Sequence, residues 1–294
     1  MDIEKDKKNG YEKRSKILGW MQKIDPWSVG FYAFIALVLI ICIFPFMWTF
    51  LVSLTPYSEL VEFHWLPSWA TSEWYKLVLF DNPFLLYIGN SFLVAFTTTL
   101  FCIFLGSLAS YALSRLKFKG KAAVLIVVLL IVMFPQITIV GPLADILTGL
   151  NLINTYLALI LPYTMLCLPL TIWILTTFFN SIPKDLENAA RVDGCTRMGA
   201  LTKIIFPLAA PGIVTTGILV FIFAWNEFMF ANTFITEPEL YTITVGIANF
   251  GGRYTTAWGE LAGAAIIVTV PLIILVLIFQ RKIVQGLTAG GVKG

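Results

Sequence analysis

The residue types that most often carry catalysis or bind metals are sparse in this sequence and are not grouped. The only histidine is His64, and the four cysteines do not have the spacing of a metal site or of a disulfide framework. The pair Gly120-Lys121 comes nearest to a nucleotide-binding loop, but Arg115 stands where that loop needs its first glycine and Ala122 where it needs Ser or Thr. We therefore expect no metal site, no cofactor and no enzymatic reaction in this chain.

Glu227 is the one carboxylate that lies well inside a long apolar stretch, directly after Asn226. An ionisable group in such surroundings is a candidate for function, because burying a charge among apolar groups is costly. Glu227, Asn226 and Gln136 of another apolar stretch are candidates for a translocation path or a gate for a polar solute. The alternative for Glu227 is a structural hydrogen bond to a neighbouring helix, and the residue types leave both alternatives open.

The composition indicates that the apolar stretches are embedded in a membrane. Of the 294 residues, 58% are hydrophobic and 13% are charged, and the mean hydropathy is +0.85. A soluble core cannot cover so much apolar surface, whereas a bilayer can. The net charge of +3 is too small to indicate nucleic-acid binding. About 20 mostly apolar residues are needed to cross the hydrocarbon core. The stretches that meet this length approximately are 30–53, 85–113, 122–141, 155–179, 208–232 and 260–280.

The basic residues predict how these spans are oriented. Most of the 20 Lys and Arg residues lie in the two tails and in the loops that follow the second and fourth spans, which all face the same side. The opposite side has only Lys76 and Arg253. Because positive loops stay in the cytoplasm, both termini are predicted to be cytoplasmic. The first apolar stretch is longer than a signal-peptide core and is expected to remain as a membrane anchor.

The loop after the fourth predicted span contains residues that typically begin and end a short helix. Ser181 is a plausible N-cap, Pro183 suits a first turn, and Gly194 supplies a stop. The spacing of three apolar residues predicts one small apolar face on this helix. These residues are Leu186, Ala189 and Ala190.

A second helical stretch is predicted over residues 196–206, followed by Pro207 and Pro211, which break the chain before the fifth span. A short helix on the surface would then be joined to a membrane span by a bent segment. Such an arrangement works as a lever, because a partner protein that moves the short helix also moves the span. An ordinary amphipathic loop lying on lipid is the alternative.

The loop also resembles a known motif. Residues 187–194, Glu-Asn-Ala-Ala-Arg-Val-Asp-Gly, are followed after nine residues by Ile204-Ile-Phe-Pro207, which resembles the EAA loop of permeases in binding-protein-dependent ABC importers. Asn188 stands where the family has its glutamate, and Phe206 stands where it has leucine. Trp225-Asn226-Glu227 and the C-terminal residues 279–294 are also similar to the family. The best resemblance is to the smaller permease of maltose- and trehalose-type importers.

The resemblance implies an all-α, polytopic membrane protein with six transmembrane helices. It also implies the transmembrane domain of a type I ABC importer with a cytoplasmic coupling helix. The predicted division is an N-terminal tail over 1–29, a first helix and external loop over 30–84, the importer domain over 85–280, and a C-terminal tail over 281–294. The coupling loop would occupy 181–207 of the importer domain. The expected location is the cytoplasmic membrane of a bacterium or an archaeon.

The implied partners are a second permease, two ATPase subunits that hold ATP and Mg²⁺, a sugar-binding protein on the outside, and membrane lipid. The substrate would be maltose, trehalose or a related oligosaccharide, and an ion-coupled sugar carrier or a membrane scaffold without transport are the alternatives. The residues implied for ATPase coupling are Leu186, Glu187, Asn188, Ala189, Ala190, Asp193 and Gly194. Those implied for contact with the binding protein are Asn249, Phe250, Gly251, Tyr254 and Trp258.

Overall fold

The structure is a computed structural model that describes residues 26–60, 66–250 and 257–289. Within these ranges most residues are helical and no strand occurs. The helices are α1 (Pro26–Leu54), α2 (Glu73–Lys76), α3 (Phe84–Arg115), α4 (Lys121–Val132), α5 (Gln136–Gly149), α6 (Leu157–Ser181), α7 (Lys184–Val192), α8 (Arg197–Ala200), α9 (Phe206–Leu208), α10 (Ala210–Asn226), α11 (Met229–Phe234), α12 (Ile243–Ala248) and α13 (Trp258–Ala289). Single π turns extend α2 over Leu77–Asp81 and join α8 to α9 over Leu201–Ile205.

Four helices are long and apolar enough to cross a membrane unbroken, namely α1, α3, α6 and α13. Two further pairs of consecutive helices pass the same test together, but each pair is sharply bent. The described part of the chain therefore holds four spans, or six if each bent pair crosses as one. The all-α membrane class and the number of predicted spans agree with this architecture.

The third predicted span is not a continuous helix over 122–141. Helix α4 ends at Val132, α5 begins at Gln136, and the two are bent by 93°. The amides of Met133 and Phe134 bond carbonyls three residues back, which tightens the last turn of α4. Pro135 has no N–H to continue the ladder and lies in an extended conformation before α5. The prediction of one continuous helix was wrong because proline at this position ends the hydrogen-bond ladder.

The fifth predicted span is bent at its start and interrupted before its end. The segment Arg197–Leu208 meets α10 at an angle of 82°, with Ala209 at the joint. This confirms the break predicted between Pro207 and Pro211. The predicted helix over 208–232 was wrong in its second half, because α10 ends at Asn226 and α11 starts at Met229.

The chain divides into two compact units, one up to Val52 and one from Ser53 onward. The described part of the first unit belongs to α1, which presents apolar side chains along its whole length, as expected of a helix surrounded by lipid. The predicted domain limits at residues 29, 84 and 280 are not tested by this division and stay predictions.

The second unit is held together by the packing of α3, α6 and α10. Its main core contains Tyr163, Trp225 and Phe230, and all three side chains are almost fully buried. Small residues let these helices approach closely. A Cβ atom added to Gly212 of α10 would lie 2.4 Å from Cγ of Phe178 in α6, and one added to Gly106 of α3 would lie 2.4 Å from Cγ2 of Thr171. Small residues at helix contacts are the usual means of close packing in membranes.

Candidate functional site: the surface helix α7 and the groups that hold it

Helix α7 begins two residues later than the sequence suggests, and Ser181 is not its N-cap. Ser181 is the last residue of α6, and its hydroxyl donates to the carbonyl of Phe178 at 2.7 Å. Pro183 takes the N-cap position and Lys184 is the first helical residue. The chain turns at Ile182, which leaves α6 in an extended conformation with its side chain buried. Only Ile182 and Pro183 thus separate the end of the membrane helix from the start of α7.

The C-terminus of α7 is closed at Gly194, as the sequence predicts. This glycine has a φ of +88°, in the left-handed region that favours glycine. The amide of the next residue, Cys195, donates to the carbonyl of Ala190 at 2.9 Å, and the amide of Gly194 donates to the carbonyl of Arg191 at 3.2 Å. This is the hydrogen-bond pattern of a glycine-terminated helix, and it fixes the direction in which the chain leaves α7.

The predicted apolar face of α7 is exposed at two of its three residues. Ala190 is buried, whereas Leu186 is 46% exposed and Ala189 is also exposed. Glu187, one turn before Ala190, is also buried, with only 8% of its surface exposed. The inner side of α7 is thus formed by Glu187 and Ala190, and Leu186 and Ala189 remain accessible to a partner protein.

The outward face of α7 therefore carries a mixed set of short side chains. Val192 has 88% of its surface exposed, a high value for a β-branched apolar residue. The remaining predicted coupling residues on this face or at its end are Asn188, Asp193 and Gly194, all of which are exposed. Of the seven residues predicted for ATPase coupling, five are exposed and two, Glu187 and Ala190, are turned toward the membrane helices.

Glu187 is held by two side chains of α3. The hydroxyl of Tyr111 donates to Oε1 of Glu187 at 2.5 Å, and Nε of Arg115 lies 3.0 Å from Oε2. The side chains of Arg115 and Glu187 are 4% and 10% exposed, so the ion pair is buried. Nη2 of Arg115 also donates to the carbonyl of Ile182 at 3.0 Å, which ties the link between α6 and α7 to the same group.

Tyr111 and Arg115 belong to the candidate site, and no sequence motif marks them as partners of Glu187. They are four residues apart at the end of α3, so they lie on one face of that helix. The only signal in the sequence is an arginine at the end of a predicted span, and basic residues there are common for topological reasons. Their pairing with a glutamate of a distant loop is a tertiary contact that no local pattern indicates.

The stretch after α7 confirms the second predicted helical segment. Thr196 is its N-cap, and its Oγ1 accepts a hydrogen bond from the amide of Gly199 at 3.1 Å. Leu201 and Ile205 are buried, whereas Met198 is exposed, so two of the three predicted apolar positions face inward. The buried cluster that contains them links α3, α6 and the joint before α10. Its members are Tyr111, Leu175, Phe179, Ile182, Leu201, Ile205 and Ala209.

Glu227 occupies the break between α10 and α11. Its Oε1 accepts from the amide of Phe230 at 2.9 Å and its Oε2 from the amide of Ala231 at 3.2 Å. The hydroxyl of Tyr163 in α6 donates to Oε2 at 2.6 Å, and the hydroxyl of Thr244 donates to the carbonyl of Glu227 at 2.7 Å. Glu227 thus caps α11, and this capping explains why the helix predicted over 208–232 is interrupted.

The three predicted path residues are not brought together. Glu227 is buried, but its neighbour Asn226 is exposed and donates to the carbonyl of Ile222 at 2.8 Å. Gln136 lies at the start of α5, beside a cavity of about 170 Å³ bounded by α4, α6 and α10. Neither Asn226 nor Glu227 lines this cavity, which is mostly apolar. The aromatic residues in its wall are Phe134 and Phe223.

The residues predicted to contact a binding protein have different surroundings. Asn249 is exposed, and its side chain donates to the carbonyl of Val245 at 2.9 Å. Phe250 is partly buried, with its ring 5.6 Å from that of Phe84 in the main core. Trp258 is 62% exposed at the start of α13. Gly251 and Tyr254 lie outside the described residues. Among the described residues, no three of His, Cys, Asp and Glu are grouped as metal ligands.

Comparison with known proteins decides the family. Residues 102–289 match the family described as "Binding-protein-dependent transport system inner membrane component". The chain belongs to this family. The permease is 46% identical over 266 residues to the trehalose/maltose transport system permease protein MalG of Thermococcus litoralis, which covers 88% of this chain and 94% of the relative. It is 44% identical to the sulfoquinovosyl glycerol transport system permease protein SmoH of Agrobacterium fabrum, over 88% of this chain and 92% of the relative.

Two further comparisons agree. The permease is 44% identical to the trehalose transport system permease protein SugB of Mycobacterium tuberculosis, over 85% of this chain and 92% of the relative. Its structure matches a chain of a bacterial ABC transporter that imports alginate, with a TM-score of 0.76 and 18% identity over 87% of this chain and 95% of the other. At that identity the match shows the fold alone, which is that of an ABC importer permease.

These findings confirm the resemblance drawn from the EAA-like loop. The permease is a multi-pass inner-membrane component of an ABC importer and not an enzyme. The alternatives of an ion-coupled carrier and of a scaffold without transport are wrong, because neither belongs to this family.

Proposed function

We propose that this permease carries a disaccharide or short oligosaccharide of the trehalose and maltose class into the cell. The observation that supports this substrate class is the agreement among similar relatives. Those named for trehalose/maltose, trehalose and sulfoquinovosyl glycerol are each 44% or 46% identical to this chain over at least 85% of its length. All three names describe small glycosides, so the pathway in this chain is expected to pass a hydroxyl-rich molecule of that size.

ATP is hydrolysed on two partner ATPase subunits, one of which docks on the outward face of α7. This face combines apolar side chains with the neutral amide of Asn188 and the exposed carboxylate of Asp185. Leu186, Ala189 and Val192 are exposed, and Asn188 takes the place of the family glutamate. Its neutral amide makes weaker hydrogen bonds than a charged group would, roughly half as strong. Docking at Asn188 and its apolar neighbours therefore depends mainly on shape and apolar contact.

Movement of α7 is transmitted to the membrane helices by two routes. The first is the buried pair between Glu187 and Arg115, with Tyr111, which ties α7 to the end of α3. The second is the apolar cluster through Leu201 and Ile205, which leads to the joint at Ala209 before α10. Glu187 and Ala190 act here as positioning residues, since they hold α7 from its inner side. ATP binding can shift the equilibrium between inward- and outward-facing states only if it favours one position of α7.

The cavity beside Gln136 is a segment of the translocation path in this proposal. It lies at the 93° bend between α4 and α5, so a movement of either helix would open or narrow it. The amide of Gln136 offers a donor and an acceptor to sugar hydroxyls, and Phe134 and Phe223 offer flat apolar surfaces to a sugar ring. Asn226 is exposed beside the break and is a further candidate. Glu227 contributes to the gate by fixing the start of α11.

On the outer side, Asn249 and Trp258 are exposed and are proposed to contact a sugar-binding protein. Another structure of similar fold, with a TM-score of 0.58 and 19% identity, is that of an alginate ABC transporter in complex with an alginate pentasaccharide-bound periplasmic protein. Phe250 supports this contact indirectly, because its packing on Phe84 anchors the segment that carries Asn249. A second permease subunit completes the pathway. Both termini lie in the cytoplasm, which agrees with the distribution of Lys and Arg.

The test begins with affinity purification of the permease from its own cells in mild detergent and identification of the proteins that accompany it. We expect a second permease, an ATPase and a sugar-binding protein. The complex is then reconstituted in liposomes with the binding protein and ATP, and uptake of labelled trehalose and maltose is measured. A complex whose ATPase lysine in the phosphate-binding loop is replaced serves as the control for ATP dependence.

The outcomes separate the substrate proposal from the coupling proposal. Uptake of trehalose or maltose that stops without ATP supports both. ATP-dependent uptake of a different class of solute contradicts the substrate class and leaves the coupling intact. Leu186→Cys and Val192→Cys, in otherwise cysteine-free complexes, are labelled with a thiol-directed photocrosslinker; if neither forms a cross-link to the ATPase on illumination, then α7 is not the docking element.

A further inference from the structure

A basic cleft lies beside α7 at the point where α3 ends and α4 begins. It has a volume of about 470 Å³ and is open to the surroundings. Five of the residues that line it are basic and none is a carboxylate. The basic residues are Arg115, Lys117, Lys119, Lys121 and Lys184. Arg115 is paired with Glu187, and the four lysines have no carboxylate among the lining residues, so the cleft attracts an anion.

Two features of the backbone add to the positive potential. Lys121 is the first residue of α4, and Lys184 is the first residue of α7. Both helices therefore start at this cleft, and helix N-termini favour anions because their amide dipoles point outward. The turn that places Lys121 here uses Gly120 with a φ of +91°, which is the left-handed region.

Arg115 supplies a donor that the protein leaves unused. Nε of this guanidinium forms an ion pair with Glu187 and Nη2 donates to the carbonyl of Ile182, but Nη1 is buried and has no hydrogen-bond partner among the described residues. A buried donor without a partner is costly. An anion in the cleft would provide that partner, and arginine is well suited to bind phosphate oxygens.

The depth of the cleft indicates the source of the anion. Helix α3 has 32 residues and is thus about 48 Å long, which exceeds the roughly 30 Å thickness of the hydrocarbon core. Its last residue, Arg115, is therefore expected at the level of the lipid headgroups. Leu116 and Phe118 also line the cleft, and the side chain of Phe118 is exposed. Apolar groups beside a cluster of cations match the glycerol and upper acyl chain of a lipid. A soluble phosphate has no apolar part that would contact them.

We propose that this cleft binds the phosphate headgroup of an anionic phospholipid from the adjoining leaflet. Because Arg115 also holds Glu187 and Lys184 begins α7, an occupied cleft fixes the position of α7 relative to α3. The composition of the membrane then influences the coupling helix directly. This inference does not depend on which sugar is carried.

The test is native mass spectrometry of the full-length permease in mild neutral detergent, titrated with phosphatidylglycerol and separately with phosphatidylcholine. The variant K117Q/K119Q/K121Q removes three charges from the cleft. We expect its affinity for phosphatidylglycerol to fall about tenfold or more, since each basic residue near an anionic headgroup contributes about a factor of five. Binding of phosphatidylcholine is expected to change less than about twofold. The single variant K119Q, at an exposed position, is the milder substitute if the triple variant does not fold.

The control variant K5Q/K7Q/K8Q removes the same charge from the N-terminal tail and is expected to keep phosphatidylglycerol affinity within about twofold. If the control loses as much affinity as the cleft variant, diffuse attraction is the cause and the proposal fails. It also fails if glycerol phosphate occupies the cleft as tightly as the lipid, because the ligand is then soluble. A cleft variant that keeps its lipid affinity but no longer recovers the ATPase would show that the cleft is a protein contact instead.

Discussion

Nε of Arg115 lies 3.0 Å from Oε2 of Glu187, and both side chains are buried. One charge belongs to the end of the membrane helix α3 and the other to α7. Breaking a buried pair by removing one partner leaves an uncompensated charge, which is far more costly than removing both. The pair therefore keeps α7 in register with α3, and it makes α7 a rigid attachment rather than a loose surface loop.

A double-mutant cycle tests this attachment. Arg115→Met and Glu187→Gln are each expected to destabilise the permease by about 3 kcal/mol, because each leaves one buried charge unpaired. The double variant is expected to lose less than the sum, with a coupling energy of about 1–3 kcal/mol. The measurements are thermal stability in detergent and ATP-dependent uptake in liposomes.

Asp185→Asn is the matched control, since it removes a carboxylate from an exposed position two residues away on the same helix. It is expected to change stability by less than about 0.5 kcal/mol. Additive losses in the cycle would show that Arg115 and Glu187 do not act as a pair.

The cost of replacing Gly194 by Asn, Ala or Val should depend on the backbone conformation alone. A Cβ at this position would meet no atom within 4 Å, but its φ of +88° disfavours side chains. Asn is expected to be tolerated best, Ala to cost about 1 kcal/mol, and Val to cost more. Gly194→Val should insert normally and hydrolyse ATP with its partners, but sugar uptake should fall severalfold. Normal uptake by the Val variant would contradict the lever proposed for α7.

Glu227 and Asn226 are neighbours with different surroundings, so their alanine variants should behave differently. Glu227→Ala leaves the amides of Phe230 and Ala231 and the hydroxyl of Tyr163 without their acceptor, and each unsatisfied group costs about 1–3 kcal/mol. We expect a large drop in thermal stability for this variant and little change for Asn226→Ala. A Glu227→Ala permease of normal stability but with an altered KM for sugar would instead place the carboxylate in the path.

Two glycines of α10 provide a matched test of the contact with α6. A Cβ at Gly212 would lie 2.4 Å from the ring of Phe178, whereas a Cβ at Gly217 would lie 3.5 Å from Cγ2 of Thr99, an ordinary contact. Gly212→Ala is expected to destabilise the permease by about 1–3 kcal/mol through overpacking. Gly217→Ala is expected to be neutral or slightly stabilising. Equal thermal stability of the two variants would show that α6 and α10 are not closely packed.

The helix breaks show which features of the fold depend on residues that are close together in the sequence. Pro207 and Pro211 are each the second residue of a helix, the chain bends between them at Ala209, and α7 is closed at Gly194. Pro135 has the same chemistry, but it lies within an apolar run that is long enough for a span, and hydropathy alone does not detect the bend. Glu227 interrupts a helix because of contacts with Tyr163 and Thr244, which are distant in sequence.

The sequence by itself determined the membrane class, the number of apolar spans, the helical loop and the family, because these depend on composition and on short-range spacing. The tertiary structure alone decided which face of α7 is buried. Hydrophobic spacing predicted that Leu186, Ala189 and Ala190 share a face, whereas the buried face is formed by Glu187 and Ala190. The physical reason is that Arg115 and Tyr111 provide partners for the carboxylate of Glu187 on the inner side of α7, and these groups come together only when α3 and α7 pack.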